Sequence, residues 1–153
     1  MLLECRKIKE KMLEDLKVNI KENLTLAIIQ IGDFASNEVY LRSKRKLATL
    51  LNVSIKEFKY QEENTKEEII NKIKELNKDS SITAIMIQKP ILKGFDYQEL
   101  VDLIEEEKDI DGVSKKNQMK LKNGKNAIIP CTCIAVLRVL EEYKISLYNR
   151  KII

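Results

Sequence analysis

The chain has 153 residues, 44% hydrophobic and 34% charged, enough for one globular domain with its own core and no need of disulfide staples. Basic side chains outnumber acidic ones by only 28 to 24. Nearly all are Lys, with Arg only at positions 6, 42, 45, 138 and 150, which argues against the concentrated Arg-bearing face of a phosphate reader, so no nucleic-acid partner is expected. No apolar run reaches the roughly 18 residues of a membrane helix. Met1-Leu2-Leu3 runs straight into charge, so the expectation is no signal peptide, no membrane partner and a cytoplasmic location. Histidine is absent, which removes Ser-His-Asp and Cys-His systems and most catalytic zinc sites; no metal is expected. The glycines, Gly32, Gly94, Gly112 and Gly124, are too scattered for a dinucleotide or triphosphate loop. Cys5, Cys131 and Cys133, odd in number and without C-x-x-C spacing, read as reduced thiols.

Helical and extended patterns alternate along the chain. Cys5, Ile8, Met12, Leu16 and Ile20 recur at helical spacing and predict a surface helix with one buried stripe. Leu24 to Ile31 (LTLAIIQI) is nearly unbroken apolar sequence, as expected of a parallel strand covered on both faces. Gly32-Asp33 turns the chain. Ser36 is placed to cap a helix running to about Leu51, with Glu38 near its positive end. Val53 to Tyr60 alternates like a half-buried strand near an edge, and Thr65-Lys66-Glu67-Glu68 is a capping box before Ile69, Ile73 and Leu76 on one helical face. Ile82 to Gln88 is a third strand, stopped by Lys89-Pro90; a short helix is expected over Asp96 to Glu105. Thr132 opens another helix ending near Tyr143. The order predicts an α/β three-layer domain, a small parallel sheet flanked by helices. After Leu147 the run to Ile152-Ile153 reads as the opening of another strand, which suggests a domain cut away or a gene that ends early.

Chemistry gathers at three places. On a helical wheel at ~100° per residue, Leu47, Tyr40, Leu51, Lys44, Ala48 and Leu41 share one arc, with Arg42, Arg45, Lys46 and Thr49 opposite. Lys44 is then the lone charge on the apolar face, one turn from Tyr40. A Lys half stripped of water is a candidate acid/base near neutral pH, although such a side chain also commonly snorkels to solvent. Its stem points back toward the helix start, at the strand ends where open α/β sheets bind ligands. Gln88 ends the third strand at that same edge. In Lys108-Asp109-Ile110-Asp111-Gly112 the two carboxylates would share a side if the stretch is extended; an Asp before Gly also suits an Asx turn.

Tyr40-x-x-x-Lys44 after Gly32-Asp33-x-Ala35-Ser36, then Ile87-Gln88-x-Pro90, then Lys108-Asp109-Ile110-Asp111-Gly112, then Pro130-Cys131-Thr132, resemble in order and spacing the bifunctional methylenetetrahydrofolate dehydrogenase/cyclohydrolases. The likeness covers nearly the whole chain and corresponds to that family's N-terminal catalytic domain. It implies that Lys44 assists proton transfer, Tyr40 stacks on the folate, Gln88 holds Lys44, and Asp111 accepts hydrogen bonds from the pterin donor edge. Tyr40, Lys44, Gln88 and Asp111 would be catalytic, and Ile87 and Lys89 would join them against the substrate. Tetrahydrofolate derivatives are the implied ligands, with NADP (or NAD) as the parent enzyme's cofactor and a homodimer as its expected state.

Departures from the pattern carry expectations of their own. Where the family usually reads Gln-Leu-Pro-Leu-Pro the chain has Gln88-Lys89-Pro90-Ile91-Leu92, so the substrate wall gains a cation. Val113-Ser114-Lys115 and Cys133 likewise replace the usual Phe-His-Pro and a Pro. Residues 1–147 are expected to form the catalytic domain and 148–153 the cut start of a nucleotide-binding domain, so that NADP should not bind this chain. Lys115, Lys116, Lys120, Lys122 and Lys125 read as a solvated turn or hairpin, or else as a docking strip for the polyglutamate tail of folates. Two competing readings are a folate-binding or dimerising domain that has lost its chemistry, and a Lys-rich nucleic-acid binder.

Overall fold

The computed structural model describes residues 3–20 and 23–151. They form two compact units, one of residues 23–129 and one of the terminal segments 3–20 and 130–151. In the larger unit, β1 (Thr25–Ile31), β2 (Ser54–Tyr60) and β3 (Ala84–Gln88) make a parallel sheet of order β2-β1-β3. Between them run α2 (Ala35–Leu50) and α3 (Lys66–Lys78). The short helices α4 (Tyr97–Val101) and α5 (Lys115–Lys122) follow β3. The terminal unit pairs α1 (Cys5–Asn19) with α6 (Cys131–Glu142), joined where the Tyr143 hydroxyl accepts from the Glu4 amide at 2.8 Å and donates to the Glu4 carbonyl at 3.3 Å.

Strand alternation divides the core between two faces. Ala27, Ile29 and Ile31 of β1, with Ile85 and Ile87 of β3, pack with Ile69, Ile73 and Leu76 of α3 and with Leu100 and Val101 of α4. Ile28 and Met86 face the other way, onto Leu41 of α2. Helices therefore cover both faces, the three-layer arrangement that the alternating pattern predicts. Right-handed crossovers give the same result: β1 moves one way to β2 through α2, and β2 returns past β1 to β3 through α3, which puts the two helices on opposite faces.

Most predicted elements appear within a residue or two. The capping box is complete, with the Glu68 amide donating to the Thr65 hydroxyl at 3.3 Å and the Thr65 amide to the Glu68 carboxylate at 2.7 Å. Other expectations need correction. Ser36 does not cap α2; Phe34 holds the N-cap position and the helix starts at Ala35. The helix expected over 96–105 stops at Val101, although Asp96 caps it through the Glu99 amide. The α1 stripe is only partly covered, with Met12 40% and Leu16 42% exposed. The lysine-rich stretch is neither a turn nor a hairpin but the helix α5, capped by Ser114 through the Asn117 amide. Two of its lysines are engaged, Lys115 with Asp102 at 2.9 Å and Lys120 with Glu106 at 2.7 Å. Residues 148–151 are not in a strand, and the strand opening expected at Ile152-Ile153 lies outside the described residues.

Candidate active site

The sheet changes character along its α2 face. Ile28 and Met86 are apolar, but the next positions toward the carboxyl ends are Gln30 and Gln88, paired in register and both 6% exposed. Buried amides must be hydrogen-bonded, and each of these meets a charged side chain. The Gln30 amide donates to Glu57 of β2 at 3.1 Å. Gln88 donates from Nε2 to the Lys89 carbonyl at 2.7 Å. That bond turns Oε1 toward α2, where it accepts from Lys44 Nζ at 3.3 Å. Lys44 and Gln88 thus meet beside the ends of β1 and β3, where the chain leaves adjacent strands toward opposite faces. That switch point is where open α/β sheets hold ligands.

Lys44 is half-buried, and its ammonium lies 5.8 Å from the centre of the Tyr40 ring. Tyr40 itself is 61% exposed, a correction to the wheel, which puts it on the covered arc. The buried stripe of α2 runs instead through Asn37 and Leu41, with Lys44, Arg45 and Ala48 half-covered. Arg45 is the second correction. The wheel assigns it to the solvent side, yet it bridges Glu57 at 2.6 Å and Glu38 at 2.7 Å. The hydrogen bonds from Arg45 hold both carboxyls below their usual range. The guanidinium reaches over the edge strand and leaves Lys44 as the cation directed at Gln88.

Asp109 and Asp111 do not share a face. Asp109 makes a single parallel bridge with Ile85 of β3, and a turn closed by the Gly112 amide onto the Asp109 carbonyl at 3.0 Å separates the two carboxylates. Asp109 is 1% exposed and accepts from the amides of Val113 at 3.4 Å and Ser114 at 2.8 Å, and from Asn117 Nδ2 at 3.0 Å. Lys108, in the same motif, donates to the carbonyls of Leu76, Asn77 and Asp79 at the end of α3; it is a helix cap, as a cation suits the negative end of a helix. Asp111 stands half-buried within the field of Lys44, and burial raises its carboxyl above the ordinary value despite that cation. A proton therefore binds folded Asp111 more tightly than the unfolded side chain, so its contribution to stability is greatest below the unfolded pKa and is lost as pH rises through the folded one. Asp111→Asn should raise the urea midpoint at neutral pH, and the gain should shrink as pH falls into the carboxylate range. A midpoint lower than wild type at neutral pH would contradict this reading.

Of the remaining expected residues, Ile87 is 2% exposed and packs in the α3-side core, so its side chain belongs to the opposite face from Lys44 and Gln88. Lys89 is exposed and sets its ammonium 3.7 Å from the centre of the Tyr97 ring. Two neighbours of the site escape the sequence reading. Asn37, 1% exposed, ties α2 to the loop after β3 by donating to the Pro90 carbonyl at 3.2 Å, and its Oδ1 has no partner among the described residues. A polar residue one turn before Leu41 on the buried stripe is a legible signal for it. Tyr97, at the start of α4, has none. Along the same strand edge, Phe34, Leu92 and Phe95 line shallow cavities beside the loop after β3. Among the described residues no group of three or more His, Cys, Asp or Glu is placed to hold a metal, and no helix is long and apolar enough to cross a membrane.

An ammonium on an amide, an open aromatic ring and a half-buried carboxylate could together hold a flat heterocycle, stack it and move a proton beside it. Likenesses to known proteins point to one family. Residues 3–111 match the catalytic domain of the tetrahydrofolate dehydrogenase/cyclohydrolase family. The bifunctional protein FolD of Lactobacillus gasseri is 34% identical over 97% of this chain and 55% of its own length, and that of Mesoplasma florum 31% identical over 99% and 55%. The bifunctional 5,10-methylenetetrahydrofolate dehydrogenase/cyclohydrolase of Thermoplasma acidophilum superposes with a TM-score of 0.88 at 31% identity, over 94% of this chain and 53% of that one. The chain thus spans about half the length of the relatives it matches. It belongs to the tetrahydrofolate dehydrogenase/cyclohydrolase family and corresponds to that family's catalytic domain.

Proposed function

We propose that the chain supplies the folate-binding catalytic half of a one-carbon enzyme. The parent activity is NAD(P)-dependent oxidation of 5,10-methylenetetrahydrofolate to the 5,10-methenyl form, followed by hydrolysis to 10-formyltetrahydrofolate. The observation that carries the reading is the Lys44–Gln88 bond at 3.3 Å beside the open Tyr40 ring and the Asp111 carboxylate. In this reading Tyr40 stacks on the folate, Asp111 accepts from ring N–H groups, and Lys44 lies against the one-carbon unit with Gln88 fixing its ammonium. Residues 1–147 form the functional domain and 148–153 lead toward a nucleotide-binding one; the assembled enzyme would be a homodimer.

For hydrolysis the residues of this chain suffice on paper. Water adds to the methenyl carbon, and Lys44, as the neutral amine once its ammonium has given a proton to solvent, takes one of the water's protons. As the bond from that carbon to N5 breaks, the hydroxyl proton passes to N5 and the carbon keeps the oxygen as a formyl group on N10. One proton is released overall. The half-buried cleft strengthens the Lys44–Gln88 contact that holds the amine in place.

NADP (or NAD) is different, because the described residues do not fit it. The glycines stand in separate turns, and two are explained by the protein's own packing. A Cβ at Gly32 would meet Phe34 and Leu92, and one at Gly112 would meet the Ile128 carbonyl at 2.3 Å. No glycine-lined helix start is left for a pyrophosphate among the described residues. Nucleotide-free hydrolysis is therefore the activity to test, as loss of methenyltetrahydrofolate absorbance on adding the chain alone. Hydrolysis above the buffer rate is expected. Tight folate binding with no hydrolysis would favour the binding-domain reading, and neither binding nor hydrolysis by the folded chain would refute both.

A further inference from the structure

Helix α2 carries Lys44, yet apolar contact anchors it thinly. Its buried residues are Asn37 and Leu41, and the core on its side of the sheet is Ile28, Leu41 and Met86, against the far larger set that meets α3. Apolar contact is non-directional, so one leucine does not fix how the helix is rolled about its axis. Polar contacts do. Asn37 pins the first turn to the Pro90 carbonyl, and roughly two turns later Lys44 and Arg45 straddle the central strand. Lys44 leans to Gln88 of β3 and Arg45 to Glu57 of β2. Between them Gln30 of β1, in register with Gln88, donates to the same Glu57 carboxylate at 3.1 Å. The hold of Arg45 is a fork: Nε donates to Glu57 Oε1 at 2.6 Å and Nη2 to Oε2 at 2.8 Å, while Nη1 donates to Glu38 Oε1 at 2.7 Å.

We propose that Arg45, through its fork on Glu57, is a positioning residue for the hydrolysis: it sets the roll of α2 that aims the Lys44 ammonium at Gln88. This rests on the reading of Lys44 as the proton carrier and adds a residue that acts on the reaction only through it. Consecutive side chains point about 100° apart on a helix, so an Arg45 held over β2 leaves Lys44 directed over β3, and any roll of α2 moves both tips together. A long stem magnifies that roll, whereas a hydrogen bond tolerates little error in distance or angle. Arginine suits the task because its planar fork meets both oxygens of a carboxylate at once and fixes direction as well as distance. Glu57 suits it as the anchor. Its side chain is only 20% exposed and also holds the Gln30 amide, so the carboxylate cannot swing freely, as it could in a fully solvated pair.

The experiment is steady-state hydrolysis of methenyltetrahydrofolate by the 153-residue chain, with a urea midpoint for every variant. Arg45→Met should lower kcat about tenfold, less than the roughly hundredfold of an ångström-scale misplacement, and leave KM within about twofold of wild type. Arg45→Lys keeps the charge but not the fork, and Glu57→Gln keeps the shape and one acceptor oxygen; both should fall between. Lys46→Met, which removes an exposed cation from the same turn, should match wild type. Ile73→Val, in the α3-side core, is the control for stability: it should lower the midpoint and keep kcat. If Arg45→Met does not fold, Glu57→Gln carries the same comparison. A kcat within about twofold of wild type in the folded clamp variants overturns the inference and leaves the folate reading intact. So does a rate loss in Ile73→Val as large as theirs, which would make the clamp a matter of stability alone. If folded wild type hydrolyses nothing, the reading of Lys44 falls and takes this inference with it.

Discussion

Replacing Lys44 by Met should reduce methenyltetrahydrofolate hydrolysis by about a thousandfold, the middle of the range for a positioned proton carrier, and leave the fold nearly untouched. Methionine keeps the length and apolar body of the side chain, so the packing of α2 beside Leu41 is preserved. The lost bond is the one to Gln88 Oε1 at 3.3 Å, and removing it should shift stability by no more than about 1 kcal/mol. Lys44→Arg makes the experiment sharper. A guanidinium keeps the charge beside Asp111 and can donate to Gln88, but it cannot give up its proton near neutral pH. If Arg restores most of the rate, the cation acts by electrostatics alone and the proton-transfer role assigned to Lys44 is wrong. If Met hydrolyses as fast as wild type while folate still binds, Lys44 is a positioning residue at most. Loss of absorbance read at matched protein concentration, with urea midpoints for each variant, separates these outcomes.

The parts of the molecule that are legible in the sequence are those whose signal is local. The capping box at Thr65 and the strands β1 and β3 depend on neighbours along the chain, and each lies close to where its pattern predicts. What fails needs knowledge of partners. A helical wheel ranks side chains by polarity, so it places Arg45 outside. The edge strand offers Glu57 across from Ile28, and that carboxylate brings the guanidinium in. The same wheel cannot see that little of the described chain covers Tyr40, which is 61% exposed. Helix α5 is hidden because its lysine-rich, weakly amphipathic sequence has little helical signal. Its stability comes from the Ser114 cap and from Asp102 and Glu106, acids 13 and 14 residues before the lysines they meet. The Lys44–Gln88 contact, 44 residues apart in sequence, is readable only through likeness to a known family.

The two aspartates of the Asp109-Ile110-Asp111 motif give the second large effect. Asp109→Ala should destabilise the chain by about 3 kcal/mol or more, because it leaves the Ser114 and Val113 amides and Asn117 Nδ2 buried without their acceptor. Those donors are not incidental. Ser114 caps α5, and Asn117, through its Oδ1, also receives the Ile128 amide at 3.1 Å. Gly112 is pressed against the Ile128 carbonyl so closely that a Cβ would stand 2.3 Å from it. Asp109 is therefore the knot that fixes the turn, and the turn is what sets Asp111 in the field of Lys44. Asp109→Asn should recover part of the loss, since one carboxamide oxygen replaces one of the two acceptors while the amide nitrogen faces donors. Beside Asp111→Asn, which should raise stability at neutral pH, the comparison separates holding from touching. Both positions should weaken tetrahydrofolate binding, yet they should move the urea midpoint in opposite directions. A lowered midpoint for both would make Asp111 a second structural residue. A raised midpoint for Asp111→Asn with undiminished binding would remove the open carboxylate on which ligand recognition at this site depends.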